Sequence, residues 1–115
     1  MATQTLSEHV LLITLPAEPS SSGDLEAVVR STRPGLDHDV IVDFSLVEIL
    51  PSATICNLIV LERVLSATGH RLVLCSVSPN VKALFRRIGL HKLFQFTDDE
   101  LAAAQLLDRG EDTYP

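Results

Sequence analysis

Two spacings of apolar residues alternate along the chain. "HVLLITL" (9–15), "DVIVDF" (39–44) and "RLVLCSV" (71–77) are short runs of aliphatic and β-branched residues. Their length predicts strands, and the continuous apolar character of the last two predicts burial on both faces. Between them the apolar positions recur every three or four residues. Leu25, Val28, Val29 and Thr32 share one helical face, and Val81, Leu84, Phe85 and Ile88 share another. A stretch from Ser52 to Thr68 carries Ile55, Leu58, Ile59, Val60 and Leu61. That is more apolar surface than one stripe on a sheet buries, so part of it is either covered by neighbouring helices or left for docking.

The punctuation agrees with this reading. Pro16 stops the first run, Thr3 to Leu6 is a candidate strand beside it, and "PAEPSSSG" (16–23) is loop chemistry. Ser21 with Asp24 has capping-box spacing, and Pro34-Gly35 closes the helix that follows. Gly69 stands just past the helix from Ser52, where a left-handed cap is expected. Ser78-Pro79 reads as an N-cap with proline at the first helical position, and Gly89 ends that helix. "LFQF" (93–96) is a short alternating strand, and Thr97 with Glu100 has capping-box spacing before a last helix. Strands alternating with helices predict an α/β domain, with a mixed, mostly parallel sheet of four or five strands and about four helices. The expected boundaries are one domain over 1–107 and a polar tail over 108–115.

Composition narrows the class. At 115 residues the chain has the length of one domain, and 46% hydrophobic residues supply a core. A net charge of −6 argues against nucleic-acid binding and suits a soluble protein with a protein partner. No basic-then-apolar leader and no apolar run near the ~18 residues of a membrane span are present, so the expected compartment is the cytoplasm, without membrane insertion. Cys56 and Cys75 are too few for a disulfide framework and read as small buried hydrophobes.

The same residues offer little enzyme chemistry. His9, His38, His70 and His91 lie far apart without metal-ligand spacing, and the glycines fall at helix ends instead of in a phosphate loop. Asp43, at the end of a buried strand, is the most enzyme-like carboxylate, but no base or nucleophile motif accompanies it. It is expected to bond the backbone of the next loop. Lys82, Arg86 and Arg87 form a basic group on one helix, with Lys92 just beyond it. The expectation is a protein that is not an enzyme and holds no cofactor or metal.

"VIVDFSLVEILPSATICNL" (40–58) and "GHRLVLCSVSPNVKALFRRIGLHKLF" (69–94), followed by "TDDELAAAQLL" (97–107), resemble the STAS domain of bacterial anti-sigma factor antagonists. The second string follows that family's pattern G-x-x-L-x-L-x-x-x-x-P-x-V-x-x-x-L-x-x-x-G-L-x-x-x-F. Before residue 30 the resemblance is poor, because "PAEPSSS" replaces the family's usual glycine after the second strand.

The resemblance implies a regulatory module that binds an anti-sigma factor or kinase-type ATPase through the loop and helix start at residues 51–57. It assigns partner binding to Pro51, Ser52, Ala53, Thr54 and Asn57. Family members carry D-S-S-G here and are phosphorylated on the second serine. In this chain the Asp falls on Pro51, the first Ser on Ser52, the acceptor on Ala53 and the Gly on Thr54. The alanine implies that the standard phospho-acceptor is absent and leaves Ser52 and Thr54 as the neighbouring hydroxyls for phosphorylation. From the residues alone, Ser52 also reads as a plain N-cap. Alternative roles are a cytoplasmic STAS subunit of a membrane transport complex and a stressosome-like scaffold component that forms a homo-oligomer.

Overall fold

Strand β3 (Asp39–Asp43) shows how the sheet is built. Side chains alternate across a strand, so Val40 and Val42 enter one apolar cluster while Ile41 between them enters another. Its neighbours repeat the division. In β2 (Val10–Thr14), Ile13 joins the first cluster and Val10 and Leu12 the second; in β4 (Leu72–Cys75), Leu72 and Leu74 face one way and Val73 and Cys75 the other. These strands have no solvent face, which is why they read as unbroken apolar runs. The computed structural model describes residues 2–7, 10–15 and 39–110. The helix expected after Gly23, the loop before it, His9, His38 and the end of the polar tail lie outside the described residues.

The sheet has five strands in the order β1-β2-β3-β4-β5, the same as their order in the chain. β1 (Ala2–Ser7) pairs antiparallel with β2, which realises the candidate strand at Thr3 to Leu6, with a register irregularity between Thr5 and Ser7. β2, β3, β4 and β5 (Gln95–Thr97) are mutually parallel. Helices α1 (Ser52–Ala67) and α2 (Pro79–Arg87) cover the first face through Leu58, Leu61, Leu65, Val81 and Phe85. Helix α3 (Glu100–Gly110) covers the second through Ala103 and Leu107. The expected α/β architecture is therefore present, with three helices among the described residues.

All four phenylalanines of the chain meet on the first face. The ring of Phe85 stands edge-on to Phe94 and Phe96, each at 5.6 Å, and to Phe44 at 6.5 Å. The ends of α2 follow its expected punctuation: Ser78 accepts a hydrogen bond from the Val81 N–H at 3.3 Å, with Pro79 next to it. Gly89 has φ +83, which lets the chain turn away after Arg87.

Several expectations are corrected. Ile88 belongs to the C-cap of α2, beyond its last turn, and is exposed instead of completing the apolar stripe. "LFQF" begins as a turn, with the Leu93 N–H bonded to the Leu90 carbonyl, because Phe94 is drawn into the cluster around Phe85. β5 therefore starts at Gln95. β4 ends at Cys75 because Ser76 takes the left-handed φ of +56. The cap of α3 is Asp99: its carboxylate accepts from the Ala102 N–H at 2.8 Å and its carbonyl from the Ala103 N–H at 3.0 Å. The Thr97 hydroxyl instead donates to the Asp99 carbonyl. α3 runs to Gly110, past the expected boundary at residue 107.

Candidate functional site

Parallel strands deliver their connecting loops to one end of the sheet, beyond the strand C-termini. Here that end gathers the loop after β3, the start of α1, Ser76, and the start of α3. The loop is pinned at every third position. Phe44, Val47 and Leu50 are buried, while Leu46 is 54% and Ile49 68% exposed. The Phe44 N–H bonds the Cys75 carbonyl, and the Val47 N–H bonds the Phe44 carbonyl, both at 2.9 Å. Two large apolar side chains thus point outward from a loop anchored through Phe44, Val47 and Leu50.

Asp43 begins this loop and does what its position predicts: its Oδ1 accepts the Ser45 N–H at 2.7 Å. The sequence did not show its other partner, Glu100, which reaches across from α3. Burial alone would push the Asp43 carboxyl up. The hydrogen bonds from Glu100 and from Ser45 outweigh it and hold Asp43 below its ordinary value. Glu100 is raised by that same hydrogen bond, by desolvation, and by the charges of Asp43 and Asp99. The Cys75 thiol beside them is pushed up to about 12 by burial and by the charge on Asp43. Asp43 and Glu100 thus share a hydrogen bond across the two elements, with the buried thiol of Cys75 beside them.

Helix α1 opens without a side-chain cap. Pro51 is the N-cap residue, with φ −66 and ψ 152, and its carbonyl accepts the Ile55 N–H at 3.2 Å. Ser52 is therefore the first helical residue, and the reading of Ser52 as N-cap is corrected by one position. Proline before it already sets the extended geometry that a cap needs. No acidic residue occupies the first turn, so the positive end of the helix dipole lacks a local counter-charge.

The expected site residues divide by burial. Ser52 and Ala53 are exposed, Pro51 and Asn57 are partly buried, and Thr54 is fully buried. Thr54 is thus a packing residue under the helix end, which places its hydroxyl out of a kinase's reach in this conformation. Cys56, expected inside, is exposed, while Cys75 is buried as expected. Arg86, Arg87 and Lys92 are exposed and stand away from this end, because α2 carries them back along the sheet, whereas Lys82, in the first turn of α2, is partly buried. His70 lies 3.5 Å from Asp39 and His91 is exposed. Among the described residues, no three His, Cys, Asp or Glu side chains converge as metal ligands would. Arg71 was missed: its guanidinium donates to the carbonyls of Leu106 and Leu107 at 3.3 and 3.1 Å, securing the far end of α3.

The fold recurs in solved structures. RsbS of Moorella thermoacetica superposes with a TM-score of 0.82 over 97% of both chains at 14% identity. An anti-sigma-factor antagonist domain protein of Planctomyces limnophilus gives 0.75 over 92% of this chain and 97% of that one, at 17% identity. SpoIIAA of Bacillus, in its unphosphorylated form, gives 0.73 over 96% of both at 18%. At these identities the likeness is one of fold. Among curated proteins none matches. The model of the STAS domain family matches residues 6–104, and the chain belongs to that family.

Proposed function

We propose that the chain is a non-enzymatic regulatory module that binds a protein partner through the loop after β3 and the first turn of α1. The partner class is an anti-sigma factor or kinase-type ATPase, in keeping with the anti-sigma factor antagonists that share its fold. The observation that carries the reading is the exposed Ala53 on the first turn of α1, beside the outward Leu46 and Ile49. Apolar side chains held on a rigid turn lose little entropy when covered. Pro51, Ser52 and Asn57 complete the face, and buried Thr54 supports it from beneath. The proposed setting is the cytoplasm; no helix among the described residues is long and apolar enough to cross a membrane.

Ala53 has no hydroxyl, so the face stays permanently in its unphosphorylated form unless Ser52, the exposed hydroxyl next to it, is used. Ala53→Asp tests the reading. A carboxylate near a helix N-terminus leaves folding stability within about 1 kcal/mol, but it must lose its water at an interface without a counter-charge. Calorimetric titration against the partner captured from the native cell should show weaker binding for Ala53→Asp, and equal affinities overturn the assignment of this face. Phosphate on Ser52 in native protein, found by mass spectrometry, would show a switch moved by one residue.

A scaffold role is the second reading. It is favoured by the likeness to a chain from the stressosome architecture, with a TM-score of 0.75 over 96% of this chain and 98% of that one.

A further inference from the structure

Charge is segregated along this chain. No Asp or Glu occurs between Glu62 and Asp98, and that interval holds Arg63, Arg71, Lys82, Arg86, Arg87 and Lys92. These are six of the nine Lys and Arg residues in a protein of net charge −6. The fold sets three of the six close together. α2 starts beyond the C-terminal end of β4 and must return to the opposite end before the parallel β5 begins. Its last turn and the turn after it therefore stand at the N-terminal end of the strands. There the exposed Arg86, Arg87 and Lys92 flank in sequence two outward apolar side chains, Ile88 at 47% and Leu93 at 40% exposure.

The other end of the domain carries the complement. Immediately after β5, Asp98 and Asp99 are exposed, Glu100 is partly so, and Leu101 beside them is 67% exposed. Among the described residues, the turn after α2 is basic with an apolar centre, and the start of α3 is acidic beside an apolar side chain. We infer that the two surfaces join copies of this chain, the end of α2 on one copy seating against the start of α3 on another. Ile88 and Leu93 meet Leu101, while the arginines and Lys92 face Asp98 and Asp99. The contact joins unlike surfaces, so each copy offers both halves. Opposed charges orient the encounter despite the overall negative charge, and covering the apolar centres holds it. This inference does not depend on the partner proposed for residues 51–57.

Sedimentation of the full chain at low and high salt provides the test. At low salt the average mass is expected to rise with concentration, and to fall back toward the monomer as salt screens the rim charges. Arg86→Glu with Arg87→Glu should weaken association about tenfold or more, and Asp98→Lys with Leu101→Lys should do the same. Mixing the two variants should restore it, because the second retains an intact α2 surface and the first an intact α3 surface. That rescue also shows that both variants are folded. A wild-type chain that stays monomeric overturns the inference, and its co-sedimentation with anionic vesicles would then assign the basic end to a lipid surface. Association that ignores both charge reversals overturns it equally.

Discussion

The ring of Phe85 meets that of Phe94 edge-on, with centroids 5.6 Å apart and planes inclined by 67°. Phe85 leaves α2 and Phe94 precedes β5, so this contact fixes the return of the chain to the sheet. Phe85 is fully buried, and Phe85→Ala removes the shared partner of three other rings. Urea unfolding should show a loss of about 3–5 kcal/mol, a large share of a single domain's stability. An unchanged midpoint would contradict the packing described.

Two serines at helix starts should differ sharply. Ser78→Ala removes the acceptor for the Val81 N–H and should cost ~1 kcal/mol. Ser52→Ala should shift the unfolding midpoint little, because Ser52 is exposed and the cap position before it is Pro51. Equal costs would restore Ser52 to the cap position.

Asp43 and Glu100 should give opposite pH slopes. Glu100 is raised, so the native state holds its proton at pH values where the unfolded chain releases it. Its contribution is present below the unfolded pKa and lost as pH rises through the folded one. Asp43 is lowered, so its contribution is present above the unfolded pKa and lost as pH falls through the folded one. Glu100→Gln keeps a donor toward Asp43 at every pH and should flatten the decline on the higher-pH side. Unfolding midpoints measured from about pH 3 to 7 should show this for Glu100→Gln, whereas Asp43→Asn should remove the rise from the acid side.

Thiol labelling should separate the cysteines. Native protein is expected to react promptly at exposed Cys56 alone, since Cys75 is buried with its thiol held near 12. Cys56→Ser should abolish the prompt reaction, and denaturant should release Cys75. Two fast thiols in native protein would refute the burial of Cys75.

Elements whose information is local were legible in the sequence. The short continuous apolar runs gave β2, β3 and β4, and Ser78-Pro79 with Gly89 framed α2 because cap chemistry acts within one turn. Fine placement was harder where neighbouring residues compete for one role. Asp99 took the cap that Thr97 spacing suggested, and Pro51 took the one expected at Ser52. The site was legible as a segment but not residue by residue. Helical phase relative to the sheet decides that Thr54 turns inward and Cys56 outward. The Asp43–Glu100 pair joins elements far apart in sequence, and nothing near either residue announces the other.

Because the strands lie in the sheet in the order in which they occur in the chain, synthesis can lay the sheet down as it proceeds. Each new parallel strand needs only its own crossover to reach the growing edge, so its loop-closure cost stays modest. The two faces are not finished together. α1 and α2 close theirs as the strands arrive, but Val10, Leu12, Ile41, Val73 and Cys75 wait for α3. Until residues 100–110 leave the ribosome, the nascent domain lacks the one described helix that covers this apolar face, a kind of surface that chaperones bind and aggregation exploits.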